Sequence, residues 1–359
     1  METNKKTKLP ISNTALLLTI TICSFFAMYL LGMVVWGGGF LNFQQFLNIF
    51  NNNAYLIIIA CGLTIVMISG GIDISVGGQI TLITMASVVI LQKPGGSVTE
   101  ALLLSLGIGL AFGLVQGFLV AYLKIQPFII TLAGMFLAKG ITTIIHVTPL
   151  KVDNLVTDAH PVVTNAEIAF KKLMEFRFSI PGFGRTTKAG NFVPFELEIG
   201  AIVAILIVVI LWAVLKWTKV GRNFYAIGGN PESALMLGIN VKRTRFISYV
   251  LCGLLAGIAG FIYLLHTGSG DVQNAAGAEM EAIASAIIGG TLLTGGVGNI
   301  IGTLFGVMSL KTINTIVITS GLKEPWWQKI TIGLMLCFFI ILQSVIISIR
   351  KKKLGSSAQ

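Results

Sequence analysis

Long apolar runs separated by short polar segments occupy most of the chain. A run of roughly 20 apolar residues is long enough to cross a bilayer core about 30 Å thick as an α-helix. The first run exceeds the length of a signal-peptide core and lacks a small-residue cleavage site, so we expect a retained helix. The pattern predicts an all-α, polytopic membrane protein with about ten transmembrane helices. The predicted spans are residues 15–36, 52–70, 74–92, 101–123, 127–146, 198–217, 245–266, 280–292, 297–320 and 328–349.

Short motifs recur at nearly equal spacing in the two halves of the chain. Cys61-Gly-Leu63 returns as Cys252-Gly-Leu254, and Gly109-x-x-Phe-Gly113 returns as Gly302-x-x-Phe-Gly306, at offsets of 191 and 193 residues. Five predicted spans per copy is an odd number, so the second copy would be inverted in the membrane. The sequence therefore predicts a weak inverted five-plus-five repeat, an architecture common in transporters, with the substrate path between the repeats.

Composition supports lipid as the solvent for much of the chain. Hydrophobic residues make up 55% of the sequence and charged residues 11%, whereas soluble domains carry about 25% charged residues. The four cysteines lie inside apolar runs, without CxxC spacing or neighbouring histidines, so we expect neither disulfides nor a metal site. They are Cys23, Cys61, Cys252 and Cys337.

The formal net charge of +11 is concentrated in segments that alternating spans place on one side of the membrane. These are the N-terminal residues, a loop at about residues 218–244 that we call the basic loop, and Arg350–Lys353. The positive-inside rule makes this side cytoplasmic, so both termini are predicted inside. We therefore do not expect nucleic acid as a partner. The predicted division is residues 1–14 as a cytoplasmic N-terminal segment, 15–349 as the transmembrane domain and 350–359 as a cytoplasmic tail.

One long hydrophilic segment, at about residues 147–196, lies on the opposite side in this count, and we call it the insertion. It mixes acidic residues such as Asp153 and Asp158 with several lysines. Its Ile180-Pro-Gly-Phe-Gly184 and Gly190-Asn191 are typical of turns. We expect a solvated external cap that contains no catalytic group.

A glycine-rich interruption separates the second and third predicted spans, and we call it the first break. It runs Ser69-Gly-Gly-Ile-Asp-Ile-Ser-Val-Gly-Gly78, and its glycines allow unwound backbone or close helix packing. Its Asp73 has two interpretations. An intramembrane carboxylate is a functional candidate by default, but Asp73 could also cap the helix that begins near Ile74, or pair with a lysine.

A second glycine-rich interruption, the second break, runs Ile288-Gly-Gly-Thr-Leu-Leu-Thr-Gly-Gly-Val-Gly298. It lacks the Lys-Ser/Thr of a phosphate-binding P-loop, and the pattern G-x-x-x-x-G-K-[ST] occurs nowhere in the chain. We therefore interpret it as a helix break with close packing, and we expect the chain to have no ATPase site of its own.

The basic loop contains the signals of a short capped helix. Asn230 suits the N-cap, Pro231 the first helical position, Glu232 the helix dipole and Gly238 the C-terminal stop. An exposed apolar face on such a helix suggests docking into a groove of a partner protein. The alternative is a helix that rests on the lipid surface. The residues predicted to be exposed are Ala234, Leu235, Met236 and Leu237.

No arrangement in the sequence points to catalysis. His146, His160 and His266 are isolated from one another and from cysteine, and no Ser/His/Asp set or carboxylate pair falls on one plausible face. We therefore predict no catalytic residues. From the residues alone, a permease driven by a separate ATPase is favoured over an ion-coupled secondary transporter and a membrane-embedded enzyme.

Taken together, these segments resemble the ribose-type monosaccharide permeases of bacterial ATP-binding-cassette importers. Two further stretches, Phe128 to Gly140 and Trp326-Trp-Gln-Lys-Ile-Thr-Ile-Gly333, are similar to a permease subunit of the galactofuranose uptake system. The resemblance covers the second through the ninth predicted spans, most of the chain. The matching blocks are Gly70-Gly-Ile-Asp-Ile-Ser-Val-Gly77, Pro127-Phe-Ile-Ile-Thr-Leu-Ala-Gly134, Gly228 to Ile239, and Gly289 to Gly306.

The resemblance implies import of a monosaccharide, with galactofuranose as the expected sugar, across the inner membrane of a bacterium. It implies a cytoplasmic ATPase with two cassettes, a second permease that is homologous or identical, an extracytoplasmic sugar-binding protein and surrounding lipid as partners. ATP and magnesium would be used by the ATPase, so this chain needs no cofactor.

The resemblance also assigns expected roles along the chain. The helix from Asn230 to Leu237 occupies the position of the coupling helix, which transmits closure of the ATPase to the membrane. Docking charges for the binding protein are expected at Asp271, Glu279 and Glu281. The expected path residues, polar or aromatic and near the breaks, are Asn53, Ser69, Asp73, Gln79, Phe128 and Thr131.

Overall fold

The computed structural model of the chain describes residues 13–37, 42–152, 163–186 and 192–356. The basic residues Lys5, Lys6 and Lys8, the insertion residues Asp153, Asp158 and His160, the expected turn at Gly190-Asn191, and residues 357–359 lie outside the described residues.

Helices form nearly all of the described chain, which confirms the expectation of an all-α polytopic membrane protein. The helices are α1 (Asn13–Trp36), α2 (Phe43–Ile68), α3 (Val76–Gln92), α4 (Val98–Ala121), α5 (Pro127–Ile145), α6 (Asn165–Glu175), α7 (Ile199–Trp217), α8 (Lys219–Gly229), α9 (Pro231–Met236), α10 (Val241–Thr267), α11 (Ala278–Ile288), α12 (Ile300–Thr319) and α13 (Pro325–Ser356).

Eight helices in the described ranges are long and apolar enough to cross a membrane, and they match eight of the ten predicted spans. The other two spans are shorter than predicted. The helix α3 has 17 residues and α11 has 11, so α11 rises only about 16 Å along its axis. Each follows a stretch without α-helix, residues 69–75 before α3 and residues 268–277 before α11.

The two halves of the chain share the same order of elements. In each half a long helix is followed by a non-helical stretch, a short helix and two long helices, namely α2 to α5 and α10 to α13. The helix α2 ends beside the basic loop, whereas α10 begins at that loop and ends beside the insertion. The equivalent helices therefore run in opposite directions, as an inverted repeat requires.

Two pairs of helices approach each other at glycines in the core of the bundle. A Cβ at Gly109 of α4 would stand 2.7 Å from the Gly257 nitrogen of α10, and one at Gly306 of α12 would stand 2.9 Å from the Gly289 nitrogen that follows α11. Small residues allow this approach in a membrane, where van der Waals packing holds helices together. The most buried long helices are α2 and α10.

The insertion is a small mixed cap over the ends of α2, α3 and α10. Its strand β1 (Leu150–Lys151) pairs antiparallel with β4 (Ser269–Gly270), and β2 (Arg177–Thr186) pairs with β3 (Phe192–Glu198). The prediction of a turn at Ile180–Gly184 was wrong, because these residues form a bulge inside β2. Proline has no amide hydrogen for the ladder and Gly182 adopts a φ of +77°, so the strand bends here without reversing.

Candidate functional site

The first break leaves the end of α2 and runs along α10. Ser69, the C-cap of α2, lies 3.0 Å from Ser248 between the two hydroxyl oxygens, and the Tyr249 hydroxyl donates to the Ile72 carbonyl at 3.0 Å. Gly70 has a φ of +81°, a backbone conformation that glycine adopts without strain. The Tyr249 side chain of α10 therefore satisfies one carbonyl of the unwound backbone, as a membrane interior requires.

Four buried polar side chains meet at the start of α3. The Asp73 carboxylate accepts from the Ser75 amide at 2.9 Å and from the Ser75 hydroxyl at 2.6 Å. The same hydroxyl accepts from the side-chain amides of Gln79 and Gln116, at 2.7 and 2.9 Å. All four residues are buried. Ser75, not Asp73, is the N-cap of α3, and no side chain caps this helix, so Asp73 makes a local contact two residues on and does not cap the helix as one interpretation expected. No lysine pairs with Asp73 in the described part of the chain.

The stretch before α11 enters the bundle from the side of the insertion and runs along α3. The Thr81 hydroxyl donates to the Asn274 carbonyl at 2.8 Å, and the Asn274 side chain donates to the Thr84 hydroxyl at 3.3 Å. As a result α11 begins beside the start of α3, where the Glu279 carboxylate faces Gly77 so closely that a Cβ there would overlap it. The N-termini of two short helices thus meet inside the bundle.

This meeting point is electrostatically suited to negative or electron-rich groups. Each helix N-terminus carries a partial positive charge, and transporters use half-helix ends of this kind at their midplane sites. Glu279 lies in the first turn of α11 and against the first turn of α3, so both helix dipoles favour its charge. Asp73 lies at the start of α3 as well.

The structure places the three expected docking charges in different settings. Asp271 is partly exposed in the turn after β4, where its carboxylate accepts from the Gln273 amide at 2.8 Å. Glu279 is 7% exposed, so little of it is available to another protein. Glu281 forms an ion pair with Lys311, with 2.6 Å between the charged atoms. Of the three, Asp271 is partly exposed and forms no ion pair with the described residues, and the docking role of all three stays a prediction.

The basic loop contains the short capped helix that its sequence predicts. The Asn230 side chain accepts from the Ser233 amide at 2.9 Å, and Gly238 has a φ of +79° just after the helix. Three apolar side chains point to solvent: Leu235, Met236 and Leu237 are 65%, 88% and 79% exposed. The prediction that Ala234 is exposed was wrong, because it is buried where α9 packs on its neighbours α8 and α10.

The last turn of α8, just before α9, reaches both breaks. The Tyr225 hydroxyl donates to the Gly298 carbonyl of the second break at 2.9 Å. Burial raises the pKa of Tyr225 to about 12, so the hydroxyl remains a donor at physiological pH. Gly228 lies against the Ile68 carbonyl at the end of α2. The exposed apolar helix is thus one residue removed from a segment that contacts both interrupted spans.

The remaining expected path residues lie apart from this cluster. Asn53 marks a kink in α2, with non-helical φ and ψ, and its side chain donates to the Ile49 carbonyl at 2.9 Å. Phe128 is 53% exposed on α5, while Thr131 is buried and donates to the Pro127 carbonyl of its own helix. Asp73 and Gln79 meet through Ser75, whereas Ser69 bonds Ser248 at the other end of the first break. The path roles of all six residues stay predictions.

Sequence reasoning missed several residues that complete the site. Gln116 is the polar exception in the fourth apolar run, and its position there was the signal that could have drawn attention to it. Ser248, Tyr249 and Tyr225 gave no such signal, because hydroxyl residues are common in spans and loops. Among the described residues, no group of three or more His, Cys, Asp or Glu could hold a metal ion.

Comparison with known proteins adds a family. Residues 45–340 match the family described as branched-chain amino acid transport system / permease component. The chain is 38% identical to the inner membrane ABC transporter permease protein YjfF of Escherichia coli, over 91% of each chain. It is 33% identical to the fructose import permease protein FruG of Bifidobacterium longum, over 90% of this chain and 89% of the relative. It is 34% identical to the ribose import permease protein RbsC of Escherichia coli, over 77% and 78%. No solved structure matches the chain.

Proposed function

Because the chain belongs to the permease family described as branched-chain amino acid transport system / permease component, and within it to the ribose-type sugar permeases, we propose how it carries out sugar import. It is a multi-pass inner membrane subunit of an ATP-binding-cassette importer for a monosaccharide, and not an enzyme in its own right. The importer also contains an ATPase and an extracytoplasmic sugar-binding protein.

The basic loop faces the cytoplasm and the insertion faces outward, with both termini inside. The excess of lysine and arginine in the basic loop and near the chain ends supports this orientation. The two sides are distinct, since α7 runs from the insertion to the basic loop as one long helix. The partner ATPase, with two cassettes, binds ATP and magnesium, and this chain needs no cofactor.

Energy enters at α9, and the observation that carries this proposal is its exposed apolar surface. Leu235, Met236 and Leu237 point to solvent on a capped helix that otherwise packs on the protein. A helix of this kind suits insertion into a groove of the ATPase. Because α8 contacts both breaks, displacement of α9 reaches the segments where the spans are interrupted.

The sugar passes near the meeting point of α3 and α11, between this subunit and a second, homologous or identical permease. Asp73 and Gln79 lie at the start of α3, and Ser69 lies at the other end of the first break. Side-chain amides, hydroxyls and carboxylates are the groups that bind sugar hydroxyls. The named relatives import fructose and ribose, and others import galactose. The similarity of Phe128 to Gly140 and of Trp326 to Gly333 to a galactofuranose permease makes galactose, in its furanose form, the first sugar to test.

The binding protein docks on the side of the insertion, with Asp271 as the charge to test first. Reversing Glu279 or Glu281 would also disturb the α3 contact or the Lys311 pair, so loss of uptake in those variants would not isolate docking. In Asp271→Lys the fold should be retained while stimulation of ATP hydrolysis by the binding protein falls.

A single substitution on α9 tests the energy input. Leu235→Glu places a charge in the apolar surface and should abolish ATP-driven uptake of labelled ribose, fructose or galactose by the reconstituted importer, because a buried unpaired carboxylate is costly at an interface. Leu235→Met is the matched control, since it replaces the same exposed side chain without adding a charge to the apolar surface. Full uptake by Leu235→Glu would overturn the docking role of α9.

A further inference from the structure

The contact between the basic loop and the breaks is made by glycine backbone. The Gly296 amide of the second break donates to the Ile68 carbonyl at the end of α2, at 2.9 Å. This hydrogen bond joins the two interrupted spans directly. Gly228 of α8 lies over it: a Cβ at Gly228 would overlap the Ile68 oxygen and stand 2.5 Å from the Gly296 nitrogen.

The surrounding glycines leave equally little space. A Cβ at Gly295 would lie 2.9 Å from the Gly228 oxygen and 3.0 Å from the Gly70 Cα, and one at Gly296 would lie 2.8 Å from the Gly229 Cα. We call Gly70, Gly228, Gly295 and Gly296 the glycine junction. Three segments that are remote in sequence, from α2, α8 and the second break, meet there through their backbones.

Side chains on either side of α9 align these segments. Tyr225, three residues before Gly228 and so on the same face of α8, bonds the Gly298 carbonyl. After α9, Ser248 and Tyr249 of α10 bond Ser69 and the Ile72 carbonyl. The helix before α9 in the chain, α8, therefore contacts both breaks, and the helix after it, α10, contacts the first break.

We propose that Gly228 is the positioning residue through which displacement of α9 moves both breaks together. The inference rests on the proposed docking of α9 to the ATPase. Backbone atoms in direct contact have no rotamers that could absorb a displacement, so α8 cannot shift without moving Ile68 and Gly296. A side chain at residue 228 would force the end of α2 and the second break apart. Displacement of the basic loop would then no longer move the two breaks.

The chain offers a control one residue away. A Cβ at Gly229 would have no atom within 4 Å, and neither Gly228 nor Gly229 has a positive φ. Gly228→Ala and Gly229→Ala therefore remove the same backbone freedom in the same helical turn, and they differ in whether the methyl group meets the hydrogen bond between the breaks.

The test is the number of labelled sugar molecules imported per ATP hydrolysed, measured on the complete importer in proteoliposomes with ribose, fructose and galactose as probes. Gly228→Ala should retain ATP hydrolysis and assembly with the ATPase but lose roughly tenfold or more in this ratio, the size of a typical coupling free energy. Gly229→Ala should match the unmodified protein. A normal ratio in Gly228→Ala would overturn the proposal.

A milder variant covers the case in which Gly228→Ala does not assemble. Tyr225→Phe removes only the hydroxyl that bonds Gly298, and it should lower the same ratio about threefold, the effect of one lost hydrogen bond. If Gly228→Ala does not assemble and Tyr225→Phe imports the normal number of sugar molecules per ATP, the proposed role of the glycine junction is wrong. Loss of uptake in Leu235→Glu together with normal coupling in both variants would leave the docking of α9 standing and refute only the role of the junction.

Discussion

The two ends of the helix bundle are held together by different kinds of contact. Beside the basic loop, the segments meet through backbone at the glycine junction. Beside the insertion, side chains make several of the connections in addition to the backbone pairing of β1 with β4: Gln44 and Asn51 of α2 bond the Glu196 and Glu198 backbone, and Glu198 pairs with Arg177 and His266. Backbone contact transmits a displacement directly, whereas side-chain bonds can be exchanged one at a time. The comparison suggests a rigid end for energy input and an adaptable end for docking.

The largest effect that distinguishes the two ends is expected from alanine at a left-handed glycine. Gly296 and Gly321 have φ values of +73° and +93°, but only Gly296 has neighbours within 4 Å of a Cβ. Gly321→Ala should cost about 1 kcal/mol of stability from its backbone conformation. Gly296→Ala should add a steric cost of about 1–3 kcal/mol and stop transport. Thermal unfolding in detergent and uptake assays measure both, and equal effects at the two sites would contradict the comparison.

A smaller effect is expected at the ion pair between α11 and α12. Lys311→Met leaves the Glu281 carboxylate, whose side chain is 19% exposed, without its partner and should destabilise the protein by roughly 2 kcal/mol, below the cost at a fully buried site. Adding Glu281→Gln should recover most of this loss. Thermal unfolding of the two single variants and the double variant gives the coupling free energy between the Lys311 and Glu281 side chains. A double variant less stable than Lys311→Met would show that the pair does not act as a unit.

The smallest effect is expected where the insertion meets α10. Glu198→Gln weakens the contacts with Arg177 and His266, which are partly exposed, so the cost should be about 0.5 kcal/mol. Hydrogen exchange in β2 and β3 should rise while uptake stays normal. Loss of uptake would show that the insertion is less adaptable than the comparison holds. Glu196, which does not pair with either residue in the described ion pairs, gives a control in Glu196→Gln.

The sequence predicted the parts of the fold that follow from local pattern. Apolar runs located the long helices, the glycine clusters located both breaks, and Asn230, Pro231 and Gly238 located α9. The short α11 was predicted to within a few residues, as 280–292 against Ala278–Ile288, but the packing of the preceding stretch along α3 was not predicted, because that contact joins residues remote in sequence. The pairing of β2 with β3 was missed because Pro181 and Gly182 are typical of turns and become a bulge only when β3 pairs with β2.

The site was predicted only in part, for a physical reason. Ser69, Asp73 and Gln79 are close in sequence, so the break itself brought them to attention. Their partner Gln116 and the contact of Gly228 with Ile68 depend on how separate helices pack. The burial of Glu279 also depends on how helices pack: a glutamate is expected at the surface, but this one is 7% exposed and lies against α3. These contacts join residues that are far apart in the sequence, so the local sequence pattern does not predict them.

The measurement that tests the central claim most directly is sugar uptake by the complete importer in proteoliposomes, with ATP on the side of the basic loop and the binding protein on the other. With ion gradients collapsed, uptake of the preferred sugar among ribose, fructose and galactose should require both ATP and the binding protein, and Leu235→Glu should abolish it while Leu235→Met does not. Uptake driven by an ion gradient in the absence of ATP would contradict the account.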